Sequence, residues 1–289
     1  MASYTAIPEK ATKAPTSPTK SGDPSTTPGP IRSVLGSQYF LVPAVFILIV
    51  VVWELGVSLL DIPQYVLPPP SEIGDSLTGM VQTDFFWRDV RITGTEMMSG
   101  FALGVGSALL IGLAVSEVKI LEKTFMPYIV AFQAVPKTAL APLFLIWFGF
   151  GLASKIATAA LATFFPVLIT VIEGLKAADR QHVDMLRSLD ASSWQIFRYV
   201  KFPNALPFIF AGLNIGIIFA LIGAVVGEFV GAEAGLGYRV LQANFNFDIS
   251  GLFATLIALS LMGLIPYYAL RALQRRFIFW GDTGKVTAA

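Results

Sequence analysis

The chain contains no cysteine and only one histidine, His182. The first absence excludes disulfides, thiolate metal sites and cysteine nucleophiles, and the second excludes a histidine-cluster metal centre within one chain. Charge is also scarce. Only 13% of the 289 residues are charged, against about a quarter in ordinary soluble domains. The net charge of +1 gives no basic surface of the kind nucleic acid requires. A phosphate-gripping loop is missing too: the glycines of GVGSALLIG (104–112) lie in an apolar run without the following lysine. They read instead as close helix packing through Gly104, Gly106, Ser107 and Gly112. No catalytic set and no metal-binding set is expected.

Apolar residues make up 55% of the chain, and its mean hydropathy is +0.69. Six long apolar runs carry this excess: Tyr39 to Leu60, Met97 to Val115, Phe125 to Phe148, Ile156 to Ile172, Leu206 to Val230 and Leu252 to Leu270. Each is near the roughly 20 residues of helix that cross a bilayer core about 30 Å thick. The runs are continuous rather than alternating, so they predict helices and not a barrel. Pro43, Pro136, Pro142 and Pro166 fall inside them, where membrane helices tolerate kinks. The expected fold is an all-α integral membrane domain of about six transmembrane helices over 37–275. Residues 1–36, rich in Pro, Ser, Thr and Lys, predict a disordered tail, and 276–289 a short C-terminal tail. The first apolar run starts too late and is too long for a signal peptide.

Lysine and arginine are unevenly shared between the two sides. With the tail inside, the inner segments hold fifteen of them, including Lys119, Lys123, Lys176, Arg180, Arg187, Arg198, Lys201, Arg271, Arg275 and Arg276. The outer segments hold Arg88, Arg91, Lys155 and Arg239, and Lys137 lies within the third run. The bias predicts that both termini are cytoplasmic. The outer stretch from Asp61 to Arg91 reads as a loop, with Phe85, Phe86 and Trp87 at the membrane interface.

The longest membrane-proximal inner loop, about 174–206, joins the fourth and fifth runs. Val183, Leu186 and Leu189 recur in it at helical spacing, with Met185 beside them. After Asp190 and Ala191, the residues Ser192 and Gln195 have the spacing of a capping box. A second amphipathic piece follows, with Trp194, Phe197 and the Ile196–Val200 pair, ended by Pro203 and Pro207. Two short helices at roughly a right angle are expected: either a knob for another protein or a connector lying on the membrane surface.

This loop resembles the E-A-A-x3-G-x9-I-x-L-P loop of permease subunits in binding-protein-dependent ABC importers. Asp184, Met185 and Leu186 take the E-A-A places, Asp190 the glycine place, and Val200, Lys201, Phe202 and Pro203 the I-x-L-P places. The spacing agrees throughout, although only the proline is unchanged. VPKTALAPLFLIWFGFG (135–151), RSLDASSWQIFRYVKFPNALP (187–207) and GEFVGAEAGLGY (227–238) look like the nitrate/sulfonate/taurine group of that family, over roughly residues 40–275.

The resemblance implies a type I ABC importer permease without enzymatic activity of its own. Its loop would couple through Asp184, Met185, Leu186, Leu189, Asp190, Ala191, Trp194, Val200 and Pro203 to ABC ATPase subunits that bind ATP and Mg. It further implies an extracytoplasmic substrate-binding protein, a second permease copy or close paralogue, a prokaryotic cell membrane, and a small anion or polar organic solute such as a sulfonate, nitrate or taurine. A left-handed turn at the glycine place would be free for Gly and tolerated at some cost by Asp190.

Ionisable residues in or beside the runs are Glu54, Glu96, Lys137 and Glu228, and such groups usually face a bundle interior or a watery path. Lys137, after Pro136, is a candidate pathway cation or a structural partner. Glu228 is a candidate for the outer gate or an interfacial carboxylate. An ATPase-independent carrier or channel would predict internal repeats with paired broken helices, and no convincing repeat joins the halves. A membrane enzyme would call for clustered carboxylates, histidines or a metal motif.

Overall fold

The computed structural model describes residues 38–278; the two tails expected at 1–36 and 276–289 lie almost wholly outside that range. The chain divides into a unit ending at Val52 and a unit from Trp53 onward, and each is described by itself. Ten helices and one 3₁₀ turn are formed among the described residues, in the order α1 (Gln38–Leu59), α2 (Pro70–Val81), α3 (Asp84–Glu117), α4 (Lys119–Gln133), the 3₁₀ turn Lys137–Leu140, α5 (Ala141–Phe148), α6 (Leu152–Lys176), α7 (Arg180–Ser188), α8 (Ser193–Gly231), α9 (Leu236–Phe245) and α10 (Ile249–Phe277).

Five of these, α1, α3, α6, α8 and α10, are long and apolar enough to cross a membrane. The third expected run is not one straight span: α4 and the Lys137–Phe148 limb are bent by 84° at a break, and only taken together do they make a sixth span. Pro136 lacks an N–H and has extended backbone, φ −67° and ψ 96°, so no helical bond can bridge the corner. Proline alone does not break a span, since Pro43, Pro127, Pro166, Pro207 and Pro266 lie inside helices.

The stretch from Asp61 to Arg91 is largely helical, not a loop. It contains α2 and the first turns of α3. Pro70 starts α2, where a missing N–H costs nothing. The Glu54 carboxylate accepts hydrogen bonds from the Ser71 N–H at 3.0 Å and hydroxyl at 2.8 Å, neutralising the positive end of that helix.

The central element is α6, whose Ala159, Thr163, Val167, Val171 and Ile172 are fully buried. Two rows of small residues let its neighbours approach. On α3 the row is Gly100, Gly104, Ala108 and Gly112, spaced by four; a Cβ on Gly104 would stand 2.6 Å from the Ala160 carbonyl oxygen. On α8 a Cβ on Gly223 would stand 2.6 Å from the Ala159 Cα. Such contacts, rather than water exclusion, hold helices together in lipid. The expected packing role of Gly106 and Ser107 is not seen. Gly106 meets nothing within 4 Å, and the Ser107 hydroxyl donates to the Leu103 carbonyl at 2.7 Å, because both lie off the four-residue stripe.

The short segment between α6 and α8 is well ordered by its own chemistry. Helix α7 ends with Asp190 N–H donating to the Arg187 carbonyl at 3.0 Å and Ala191 N–H donating to the Leu186 carbonyl at 3.1 Å. This is the paired bonding of a Schellman cap. Its defining position is Asp190, which takes the left-handed backbone at φ 53°. Two residues later Ser192 begins α8 with a reciprocal capping box: its N–H donates to Gln195 Oε1 at 2.7 Å and its hydroxyl accepts from Gln195 N–H at 3.3 Å.

The second short helix does not end at Pro203. It is the start of α8, which runs unbroken from Ser193 to Gly231. A π turn over Phe197–Lys201 precedes the α-helical stretch that opens at Phe202. The wider turn absorbs the bond Pro203 cannot make and keeps its ring clear of the preceding carbonyl.

Candidate functional site

Two regions concentrate chemistry, one at each end of α8. At its start, α7 and the first turns of α8 form a projecting knob. Met185 is 57%, Leu189 71% and Trp194 64% exposed, large apolar side chains left uncovered on a polar segment. Trp194 stacks on Phe197 at 5.5 Å, and Phe197 leans on Phe202 at 5.9 Å, so the indole sits on a rigid aromatic base. Val183 and Ile196 are buried beneath, while Leu186, Ala191, Val200 and Pro203 are half-buried. Asp184 is exposed and pairs with Arg187 at 3.3 Å. A cavity of about 540 Å3 lies between the two helices, lined in part by Met185, Leu186, Tyr199 and Pro203. The structure thus brings all nine loop residues into one compact, doubly capped feature.

At the far end of α8 the structure assembles a buried polar lock. Glu228 is 1% exposed. Its carboxylate accepts from the Thr93 hydroxyl at 2.6 Å and from the Gly237 N–H. The Thr93 oxygen in turn accepts from Leu236 N–H at 2.8 Å. Asp89, also buried, accepts from Gly235 N–H at 3.2 Å and from the Arg239 guanidinium. The loop Ala232–Gly235 and the N-terminus of α9 are thereby fastened to α3. Gly235, at φ 115°, is required twice over: its backbone is left-handed, and a Cβ there would collide with the Glu228 carboxylate. Glu96 is buried beside Glu228. The ammonium of buried Lys155 donates to the Phe150 carbonyl at 2.7 Å and the Gly151 carbonyl at 3.2 Å. A cavity of about 210 Å3 lined by Glu228, Tyr238, Gln242 and Asn246 adjoins the lock.

Lys137 stands at the corner of the broken span, away from the lock. Its ammonium donates to the Gln133 carbonyl at 2.7 Å, closing the last turn of α4, and lies 5.3 Å from the Phe165 ring centre. Sequence reasoning missed the roles of Asp89, Thr93, Lys155 and Arg239, and it named Glu96 as an ionisable residue beside a span without giving it one. A signal was present: Asp89, Thr93, Glu96, Gly100 and Gly104 follow one another at helical spacing, which puts polar and small residues on one face.

Long apolar helices around a glycine-lined central helix, a broken span and a capped amphipathic knob define a multi-pass membrane permease. The description "Binding-protein-dependent transport system inner membrane component" matches residues 100–279, and the chain belongs to that family, the permease subunits of ABC importers. It is 35% identical over 238 residues to the riboflavin transport system permease protein of Chloroflexus aurantiacus, covering 82% of this chain and 89% of that protein. It is 34% identical to the formylaminopyrimidine transport permease protein of Halalkalibacterium halodurans, covering 81% and 93%. It is 30% identical to the putative aliphatic sulfonates transport permease protein of Bacillus subtilis, covering 84% and 87%. Among solved structures, the MetNI methionine ABC transporter in an inward-facing conformation shares the fold with a TM-score of 0.60, at 20% identity over 67% of this chain and 96% of that one.

Proposed function

We propose that the chain forms the translocation pathway of an ATP-driven importer and receives the power stroke through the knob between α6 and α8. The knob lies on the cytoplasmic side with both termini, as the fifteen-to-four distribution of basic residues supports. Two ABC ATPase subunits, which bind ATP and Mg, seat this knob, one on each of two permease copies. An extracytoplasmic binding protein delivers solute at the opposite face, in a prokaryotic cell membrane. Transport is a population shift between inward-open and outward-open states. The observation that carries this reading is the exposed apolar surface of Met185, Leu189 and Trp194 on two short helical pieces whose connecting turn is capped on both sides. A free connector has no need of a Schellman turn and a capping box two residues apart.

The solute is a small polar organic molecule or anion. The sulfonate relative supports an anion such as a sulfonate, nitrate or taurine. The two more similar relatives, named for riboflavin and formylaminopyrimidine, extend the range to heterocycles. Lys137 is a candidate contact for an anion, which would compete with the Gln133 carbonyl and Phe165 ring for its ammonium. Glu228 governs the far-side gate through the lock it closes.

The test is gentle purification of the tagged chain from its native membrane, with ATPase assay of what accompanies it. A stoichiometric ATPase is expected. Trp194→Ala and Leu186→Asp should release it while the permease stays folded, the loss of a buried aromatic anchor costing about 2 kcal/mol or more. ATP-independent transport by a permease that carries no ATPase would refute the proposal.

A further inference from the structure

The two feet of the knob are fastened to one elbow elsewhere in the chain. Lys176, the last residue of α6, pairs with Glu122, and Lys201, at the end of the π turn in α8, pairs with both oxygens of Glu117 at 2.8 Å. Glu117 ends α3 and Glu122 lies in the first turn of α4, with the single extended residue Val118 (φ −107°, ψ 101°) between the two helices. The knob is bracketed at Lys176 and Lys201, and both brackets close on the same six residues.

The macrodipole favours Glu122 in the first turn of α4 and Lys176 in the last turn of α6, but it does not explain Glu117. A carboxylate at a helix C-terminus faces the negative end of the macrodipole and is disfavoured there, yet Glu117 occupies that place. The π turn immediately before Phe202 rotates the start of α8 by about 100° relative to an uninterrupted helix, and this sets the direction of Lys201. All four side chains are partly exposed, and such pairs add little to stability. Helix α4 itself is thinly held. Among its described residues only Ile129 is buried, and its ends are Val118 and the Pro136 corner.

We propose that Glu117 and Glu122 are positioning residues that hold the base of the knob to the α3–α4 elbow, Glu117 pinning Lys201 to the end of α3 and Glu122 tying Lys176 to α4, so that α4 is the lever that the knob moves. A displacement of the knob then swings α4 about Val118 and changes the angle at the Pro136 corner. This inference rests on the coupling role given to the knob above.

The absence of native cysteine permits its test. Tyr128→Cys on α4 and Leu103→Cys on α3, both 61% exposed, carry a donor and an acceptor dye. Energy transfer is followed in single complexes of the permease with its co-purified ATPase, each containing one labelled copy, with and without MgATP. A MgATP-dependent distance change is expected. K201E and K176E should each shift that equilibrium about tenfold away from the ATP state, the scale of one coupling contact, while ATP hydrolysis continues. The exchange K201E/E117K should restore the change, which a merely misfolded variant would not do. Wild-type response in both single variants, no distance change in a complex that hydrolyses ATP, or failure of the exchange to restore it would overturn the elbow. A complex without any MgATP hydrolysis would instead remove the coupling reading on which it rests.

Discussion

Replacing Glu228 by alanine tests whether the polar lock is a structural fastening. In the folded chain its carboxylate is the acceptor for the Thr93 hydroxyl and the Gly237 N–H, in a site where Glu228 and Thr93 are 1% and 0% exposed. Alanine leaves both donors buried without that acceptor, at about 1–3 kcal/mol each, so the loss is ~2–6 kcal/mol. For a chain of this size that corresponds to a fall in melting temperature of roughly 5–20 °C, read by intrinsic tryptophan fluorescence in detergent. Thr93→Val removes the same hydrogen bond from the other side and also strips Leu236 N–H of its acceptor. Because the two changes share a bond, the double variant should lose less than the sum of the singles, by about 0.5–3 kcal/mol. Glu228→Ala melting together with the wild type would refute the argument, and so would strict additivity of the pair.

Asp190→Gly should raise stability by about 1 kcal/mol, since only a Cβ resists the left-handed backbone there, with ATPase binding unchanged; a loss of stability in thermal melts would show that the aspartate side chain earns its place. Gly223→Val should lower the melting temperature by the equivalent of ~1–3 kcal/mol, because its Cβ would stand 2.6 Å from the Ala159 Cα; an unchanged melt would mean that α6 and α8 can separate freely. Lys137→Gln should keep the fold and, if the solute is an anion, raise the concentration needed for half-maximal ATP-driven uptake of taurine or an alkanesulfonate; unaltered uptake would leave Lys137 as a helix cap alone.

The five straight spans were legible because bilayer thickness sets a length that apolar runs display directly. The knob was legible for a different reason: Ser192, Gln195 and the Val183, Leu186, Leu189 spacing are local signals whose partners lie within a few residues. The break at Pro136 was not, since Pro166 and Pro207 carry the same local restriction inside intact helices. The continuity of α8 through Pro203 was hidden too, because a π turn leaves no mark in hydropathy. The lock was missed because Asp89, Thr93 and Glu96 end the apolar window, so a hydropathy reading starts the second span at Met97 and discards the polar residues whose partners lie some 130 to 150 positions away.

The corner at Pro136 also bears on how the chain is made. Helix α4 has 15 residues, and the limb beyond the corner, Lys137–Phe148, has 12. At 1.5 Å per residue these reach about 22 and 18 Å, and neither crosses a hydrocarbon layer about 30 Å thick. A nascent chain cannot release either limb into lipid as a finished span. The bent pair has to wait at the insertion site until α6 has been synthesised and can shelter it. Membrane integration of this stretch is therefore a cooperative event, and weakening α6 should leave the bent pair of α4 and α5 stranded.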